Sequence, residues 1–340
     1  MEELRPDRIM AIGGGYCAAK VLLSAVGLRL FTVLGDGAMT AGQIAERLGL
    51  VERPATDFLD TLVSLELLDR DGNGSGACYR NTAETARFLD ERSPAYQGGL
   101  LKIWDDRNYR YWADLTEALQ TGRAQSEIKH SGRPFFDTLY QDPRRLEAFM
   151  GAMDSSSRRN FELLATRFPF ERYHRLCDVG GADAVLARIV AAAHPHLRCT
   201  TFDLPAVTEI AARKIAEAGL GDRIEAVAGS FLTDPLPGAD VITMGMILHD
   251  WDLDHKRMLI AKAYDALPDG GAFVVIESLI DDDRRTNTFG LTMSLNMLIE
   301  FGDAFDYTAA DFRRWCADAG FRSFETIPLD GPSSAAVAYR

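Results

Sequence analysis

The run Leu176-Cys177-Asp178-Val179-Gly180-Gly181-Ala182-Asp183-Ala184-Val185-Leu186 decides how this chain is read. It has the form of a short buried strand closed by Leu176 and Val179, a turn of small residues, and the start of a helix. Gly180 and Gly181 admit backbone conformations that a side chain would block. Residues 184–193 form an apolar stretch of helical length, and Pro195 stops it. A strand, a glycine turn and a helix N-terminus make a place for one polar or anionic group of a ligand. One βα unit later, Asp203 closes a second strand in Thr200-Thr201-Phe202-Asp203-Leu204, where a carboxylate can accept hydrogen bonds from ribose hydroxyls. Together the two features point to a nucleoside cofactor. Ala182 and Ala184 occupy two positions at which an Asp-x-Gly-x-Gly-x-Gly spacing would carry glycine.

Around that turn the chain alternates. Strands are expected at 173–179, at a run ending at Asp203, and at 224–228, 239–244 and 272–279, with helices at 184–193, 205–218 and 254–267 between them. Such alternation predicts a doubly wound, mostly parallel α/β sheet. A helix at 309–319 and strands at 321–328 and 335–339 then close the sheet with a hairpin. Upstream, residues 93–168 read as helical and rich in aromatics, from Trp104, Tyr109 and Trp112 to Phe149. The N-terminal part reads helix, turn, helix and a two-stranded wing around a Gly-rich loop, with Thr40 and Gln43 spaced as a capping box. Three segments result: a helical, winged-helix-like dimerisation domain at 1–95, a helical connector contributing to the acceptor pocket at 96–168, and a cofactor-binding catalytic domain at 169–340.

Composition narrows the classes of function. The 340 residues carry a formal net charge of −13, a poor match for nucleic acid or an anionic membrane. The second helix of the N-terminal pair carries Asp57 and Asp60 and has the wrong sign for a DNA groove, so a structural or dimerising role is favoured over a ligand-responsive DNA regulator. Five scattered cysteines without a Cys-x-x-Cys pair suggest reduced thiols and a cytoplasmic protein. No signal segment and no apolar run long enough to cross a bilayer is read.

One histidine, His249, falls just past the C-terminal end of a central strand, the edge at which open parallel sheets bind ligands. It can take a proton near neutral pH, and a neighbouring carboxylate would orient its ring. Glu277, near the end of the next strand, and Asp306, before the next helix, are the candidates. The run from His249 to His255 also holds metal-ligand residue types, but it reads better as a helix start with Asp252 or Asp254 as cap, and no metal is expected. Gly229-Ser230-Phe231 follows the third strand, where a ring such as Phe231 could cover adenine.

These residues resemble the S-adenosylmethionine-dependent small-molecule O-methyltransferases of the caffeate, acetylserotonin and bacterial antibiotic-tailoring type. The likeness runs nearly end to end: Tyr79-Arg80-Asn81-Thr82, Asp178-Val179-Gly180-Gly181, Asp203-Leu204-Pro205, Gly229-Ser230-Phe231, the Pro235-Leu236-Pro237 run before Ala239-Asp240, and Leu248-His249-Asp250-Trp251. It implies a Rossmann-like methyltransferase fold, a homodimer joined through the N-terminal domain, and a small aromatic hydroxylated acceptor. His249 matches the base, with Glu277 and Asp306 matching the acids that flank it. Asp178, Gly180, Gly181, Asp203, Leu204, Gly229, Ser230 and Phe231 match cofactor positions. Asp250, Asn296 and Met297 match the acceptor pocket. The alternative is a same-fold enzyme that binds the cofactor but performs hydroxylation or cyclisation.

Overall fold

The computed structural model describes residues 4–133 and 135–340. The chain divides into two compact units, with the boundary between Arg110 and Tyr111, inside the stretch read as a connector.

In the first unit the helix Asp7–Gly27 ends where Arg29 takes a left-handed backbone, and a short helix Leu30–Leu34 follows. Helices Ala41–Leu48 and Glu52–Ser64 form the helix–turn–helix. The capping box is present: Gln43 N–H donates to Thr40 Oγ1, and Thr40 N–H donates to Gln43 Oε1. Gly49 ends that helix in the left-handed region. The unit is not all-helical. Strands β1 (Met39–Thr40), β2 (Leu68–Asp71) and β3 (Cys78–Asn81) form an antiparallel sheet in the order β1-β3-β2. A two-residue strand shows no alternation in sequence, and Thr40 serves as helix cap as well, which hid β1. Leu30, Phe31, Ile44, Leu59, Leu62 and Tyr79 make the core of this unit.

The expectation that no segment could span a bilayer also needs correction. Asp7–Gly27 is long and apolar enough to do so by length and composition, and it buries few of its side chains within its own chain. Ile9, Met10, Ile12 and Tyr16 on it are exposed.

The second unit is built on a seven-stranded sheet ordered β6-β5-β4-β7-β8-β10-β9. Its strands are β4 (Arg175–Val179), β5 (Arg198–Asp203), β6 (Ile224–Ala228), β7 (Val241–Gly245), β8 (Ala272–Glu277), β9 (Ser323–Pro328) and β10 (Ser334–Tyr339). The first five are parallel, and β10 of the closing hairpin runs antiparallel to both β8 and β9. From β4 the chain winds outward through β5 to β6, then returns to lay β7 on the other side of β4. The topological switch therefore lies between β4 and β7, where doubly wound sheets bind ligands. β4, β7 and β8 are buried almost throughout, as strands covered by helices on both faces should be. One face is packed by helices Pro143–Arg167 and Val185–Ala193, through Phe161, Leu164, Leu186 and Val190. The other is packed by Leu253–Ala266 and Ala309–Ala319, through Leu259, Ile260, Phe312 and Trp315. A helix at Thr288–Phe301, absent from the sequence reading, completes the unit and packs against the Leu248–Asp250 turn.

Candidate active site

The turn after β4 behaves as its glycines suggest. Gly180 has φ +68°, and its N–H donates to Phe202 O of the neighbouring strand at 2.8 Å. Gly181 is a place of close approach: a Cβ there would lie 2.2 Å from Thr201 Oγ1 and 2.9 Å from Asp178 Oδ2. Ala182 and Ala184 adopt the left-handed backbone that the missing glycines would take, with φ +49° and +65°. Each alanine there costs about 1–2 kcal/mol. Ala184 packs into the core under Val185–Ala193, and Ala182 lies beside Leu204 in a cluster with Phe135, Leu146 and Met150.

Asp203 joins turn and strand. Ala182 N–H donates to its Oδ2 at 3.0 Å, and Leu204 N–H donates to its Oδ1 at 2.7 Å. Burial pushes its carboxyl up to about 6 against the pull of those two donors. Each oxygen keeps further acceptor capacity, which suits the two hydroxyls of a ribose. Asp178 is a brace beneath the turn: Thr243 Oγ1 donates to its Oδ1 at 2.7 Å, and burial pushes it up to about 7. Gly229 N–H donates to Asp203 O, Ser230 N–H donates to Asp234 Oδ2, and half-buried Phe231 meets Trp251 edge-on at 6.0 Å. A Cβ added at Gly180 would lie 2.4 Å from Ile247 Cδ1 and 3.8 Å from Phe231 Cε1, so the turn stands next to both side chains. These residues fit a nucleoside cofactor.

Across the switch, β7 ends in Gly245, and Met246 follows with φ +56°. A bulky residue held in that region marks stored strain of a kind that gathers at functional sites. The short turn Leu248–Asp250 then delivers His249, which is 4% exposed. Its Nδ1 lies 3.3 Å from Asp306 Oδ1 and its Nε2 3.3 Å from Asp250 Oδ1. Glu277 does not flank the ring; its Oε1 accepts the His249 backbone N–H at 3.1 Å. The acid placed with the acceptor pocket, Asp250, takes the second position on the imidazole. Burial alone would lower the proton affinity of His249, but Asp250, then Asp306 and Glu277, overcome it and raise the ring to about 10. Burial pushes Glu277 up to about 7 and Asp250 to about 6.

Asn296 and Met297 lie on the helix Thr288–Phe301. Asn296 Oδ1 accepts from Trp112 Nε1 at 3.0 Å, Met297 is buried, and Ser294 Oγ of the same helix accepts from Asp306 N–H. The sequence reading missed Ser294, Thr243, Met246 and the fully buried Lys256. Only Lys256 carried a signal: a lysine among apolar helix positions, four residues after the Asp252 cap.

A doubly wound sheet with a nucleoside cradle at the switch, and a histidine beside two carboxylates across from it, defines a group-transfer enzyme that uses a nucleoside cofactor. Comparison with known proteins makes the class specific. Residues 112–322 match the O-methyltransferase domain model, and residues 10–91 match the O-methyltransferase dimerisation domain model. The tetracenomycin polyketide synthesis 8-O-methyl transferase TcmO of Streptomyces glaucescens is 40% identical over 98% of this chain and 96% of its own length. The N,N-dimethyltransferase OxyT of Streptomyces rimosus is 39% identical over 95% of this chain and 92% of its own. Human N-acetylserotonin methyltransferase, solved in complex with SAM, superposes with a TM-score of 0.90 at 29% identity, covering 100% of this chain and 99% of that one. The chain belongs to the O-methyltransferase family and is an S-adenosylmethionine-dependent enzyme.

Proposed function

We propose that this enzyme methylates a hydroxyl of a small aromatic secondary metabolite, with His249 as the group that takes the hydroxyl proton. The observation that carries the reading is the buried His249 held between Asp306 and Asp250 just past the end of β7. When bound, S-adenosylmethionine supplies an electrophilic methyl group. Asp203 would hold its ribose, the Gly180–Ala182 turn would admit its polar tail, and Phe231 would lie against its adenine. Asn296 and Met297 would line the acceptor pocket, where the dry surroundings keep water from competing.

The electrostatics match the acceptor. A phenol has a pKa near 10, and a ring raised to about 10 receives its proton with little free-energy cost. Raised that far by Asp250 and Asp306, the ring would carry a proton at neutral pH. One proton must therefore leave the histidine–phenol pair before transfer, and the rate should rise with pH through the neutral range. Alignment of oxygen, carbon and sulfur supplies the rest of the acceleration.

The relatives support an aromatic polyketide-like acceptor, since the name of TcmO specifies O-methylation in tetracenomycin polyketide synthesis. The name of OxyT specifies N,N-dimethyl transfer, so nitrogen is the second candidate atom. The exposed Ile9, Met10, Ile12 and Tyr16, within or next to the dimerisation segment, support a homodimer through the N-terminal domain. We place the enzyme in the cytoplasm, where five free thiols persist. Incubation with S-adenosylmethionine and polycyclic phenols, followed by mass spectrometry, tests the function. Gain of one methylene on oxygen is expected; gain of an oxygen atom, or no change in mass, would support hydroxylation or cyclisation instead.

A further inference from the structure

The turn after β4 keeps Ala182 and Ala184 in the left-handed region, at φ +49° and +65°, where alanine is disfavoured and glycine is not. Ala182 N–H is fixed by Asp203 Oδ2 at 3.0 Å. Between the two alanines stands Asp183, which is 5% exposed. Its Oδ2 lies 3.4 Å from Arg188 Nη2, in the first turn of the helix Val185–Ala193. The same Nη2 lies 3.8 Å from Asp154 Oδ2 on the helix Pro143–Arg167, and that oxygen accepts from Arg158 Nη2 at 2.7 Å. Acid and base thus alternate from the turn to the neighbouring helix. Arg188 N–H also donates to Ala184 O at 2.9 Å, so one residue holds the turn by backbone and by side chain.

A buried carboxylate is costly unless a cation meets it, and removing the cation leaves the charge uncompensated. Rotating residue 182 or 184 out of the left-handed region would redirect the chain beside Asp183 and draw its carboxylate off Arg188. We propose that the Asp183–Arg188–Asp154 chain stands in for the two missing glycines: it clamps the turn in the left-handed conformation and so sets the affinity for S-adenosylmethionine. Asp183 and Arg188 are positioning residues, acting through the backbone of the turn. A glycine at position 184 would reach the same conformation without the clamp, so the two devices are interchangeable. The inference rests on the cofactor lying along this turn, as proposed above, and is independent of the acceptor and of His249.

The test measures S-adenosylmethionine affinity by calorimetry on the full-length protein, with each variant made in two backgrounds, wild type and Ala184→Gly. Asp183→Asn removes the charge at nearly constant size and should weaken binding about tenfold, the scale set by the conformational cost of one left-handed alanine. Arg188→Met should weaken it at least as much. In the Ala184→Gly background the same changes should cost no more than about threefold, because glycine holds the left-handed region unaided. A general loss of stability would not give this pattern, since Ala184→Gly would then restore nothing. Wild-type affinity in Asp183→Asn overturns the proposal, even if Arg188→Met fails to fold. So does an equal loss in both backgrounds. Asp203→Asn separates this inference from the cofactor placement beneath it. If Asp203→Asn weakens binding and Asp183→Asn does not, the clamp alone is wrong; if neither does, the placement of the cofactor on the turn falls as well.

Discussion

Replacing Asp250 with asparagine isolates the electrostatics of the histidine. Asp250 Oδ1 stands 3.3 Å from His249 Nε2, and its charge raises the ring together with that of Asp306. At an effective dielectric constant near 20, a pair about 4 Å apart interacts by about 4 kcal/mol. One pKa unit corresponds to about 1.4 kcal/mol, so the whole interaction is worth at most about three units. Asp306 stays 3.3 Å from Nδ1 and keeps part of the effect. Asp250→Asn should therefore lower the ring from about 10 by one to two units, toward the range of an ordinary histidine. The acidic limb of kcat/KM should fall with it, measured by release of S-adenosylhomocysteine between pH 6 and 10. The sign follows from linkage: a negative neighbour favours the imidazolium, and removing it releases the proton at lower pH. A limb that stays in place, or moves upward, would refute the assignment of Asp250 as a charged partner of the ring.

Three further substitutions test the cradle. Asp203→Asn should weaken S-adenosylmethionine binding at least tenfold in calorimetry, because the ribose loses a charged acceptor; unchanged affinity would remove Asp203 from the site. Gly181→Ala puts a methyl group 2.2 Å from Thr201 Oγ1 on a buried strand. It should cost about 1–3 kcal/mol in urea unfolding and loosen cofactor binding as the turn shifts. Asp178→Asn probes the brace. An acid raised from 3.8 to about 7 binds its proton more tightly in the folded protein, so its contribution to stability fades as the pH climbs from 4 to 7. The asparagine variant should lose that dependence and gain up to about 4 kcal/mol relative to wild type at pH 8 compared with pH 4. Equal effects at both pH values would make Asp178 a simple packing residue.

The parallel sheet was legible because each strand is a short buried run set between helices of opposite periodicity, and β4 through β8 fall within a few residues of where the pattern placed them. The helix Thr288–Phe301 was not. Its apolar residues Phe289, Leu291, Met293, Leu295 and Met297 alternate with small or polar ones, a strand-like period that packing overrides. His249 and Asp203 stood out because both follow strands at the ligand-binding edge. Their surroundings did not, because contacts between residues distant in sequence have no local signature. Glu277 was assigned to the ring by its place in the order of strands, yet the turn Leu248–Asp250 presents its backbone, not its imidazole, to that carboxylate. Asp250 lies next to His249 in sequence, and only the backbone course through Trp251 turns its side chain onto Nε2. The left-handed Ala182 and Ala184 carry the same lesson: the fold keeps the conformation of the lost glycines although the sequence does not keep their chemistry.

On the proposed reading, holding the cofactor and taking the proton fall to different residues on opposite sides of the β4–β7 switch. Its most direct test is one preparation of His249→Ala, with S-adenosylmethionine affinity and single-turnover methyl transfer measured on the same sample. Affinity close to wild type with transfer slowed at least tenfold is the predicted result. Transfer at the wild-type rate, or affinity lost together with transfer, would contradict it.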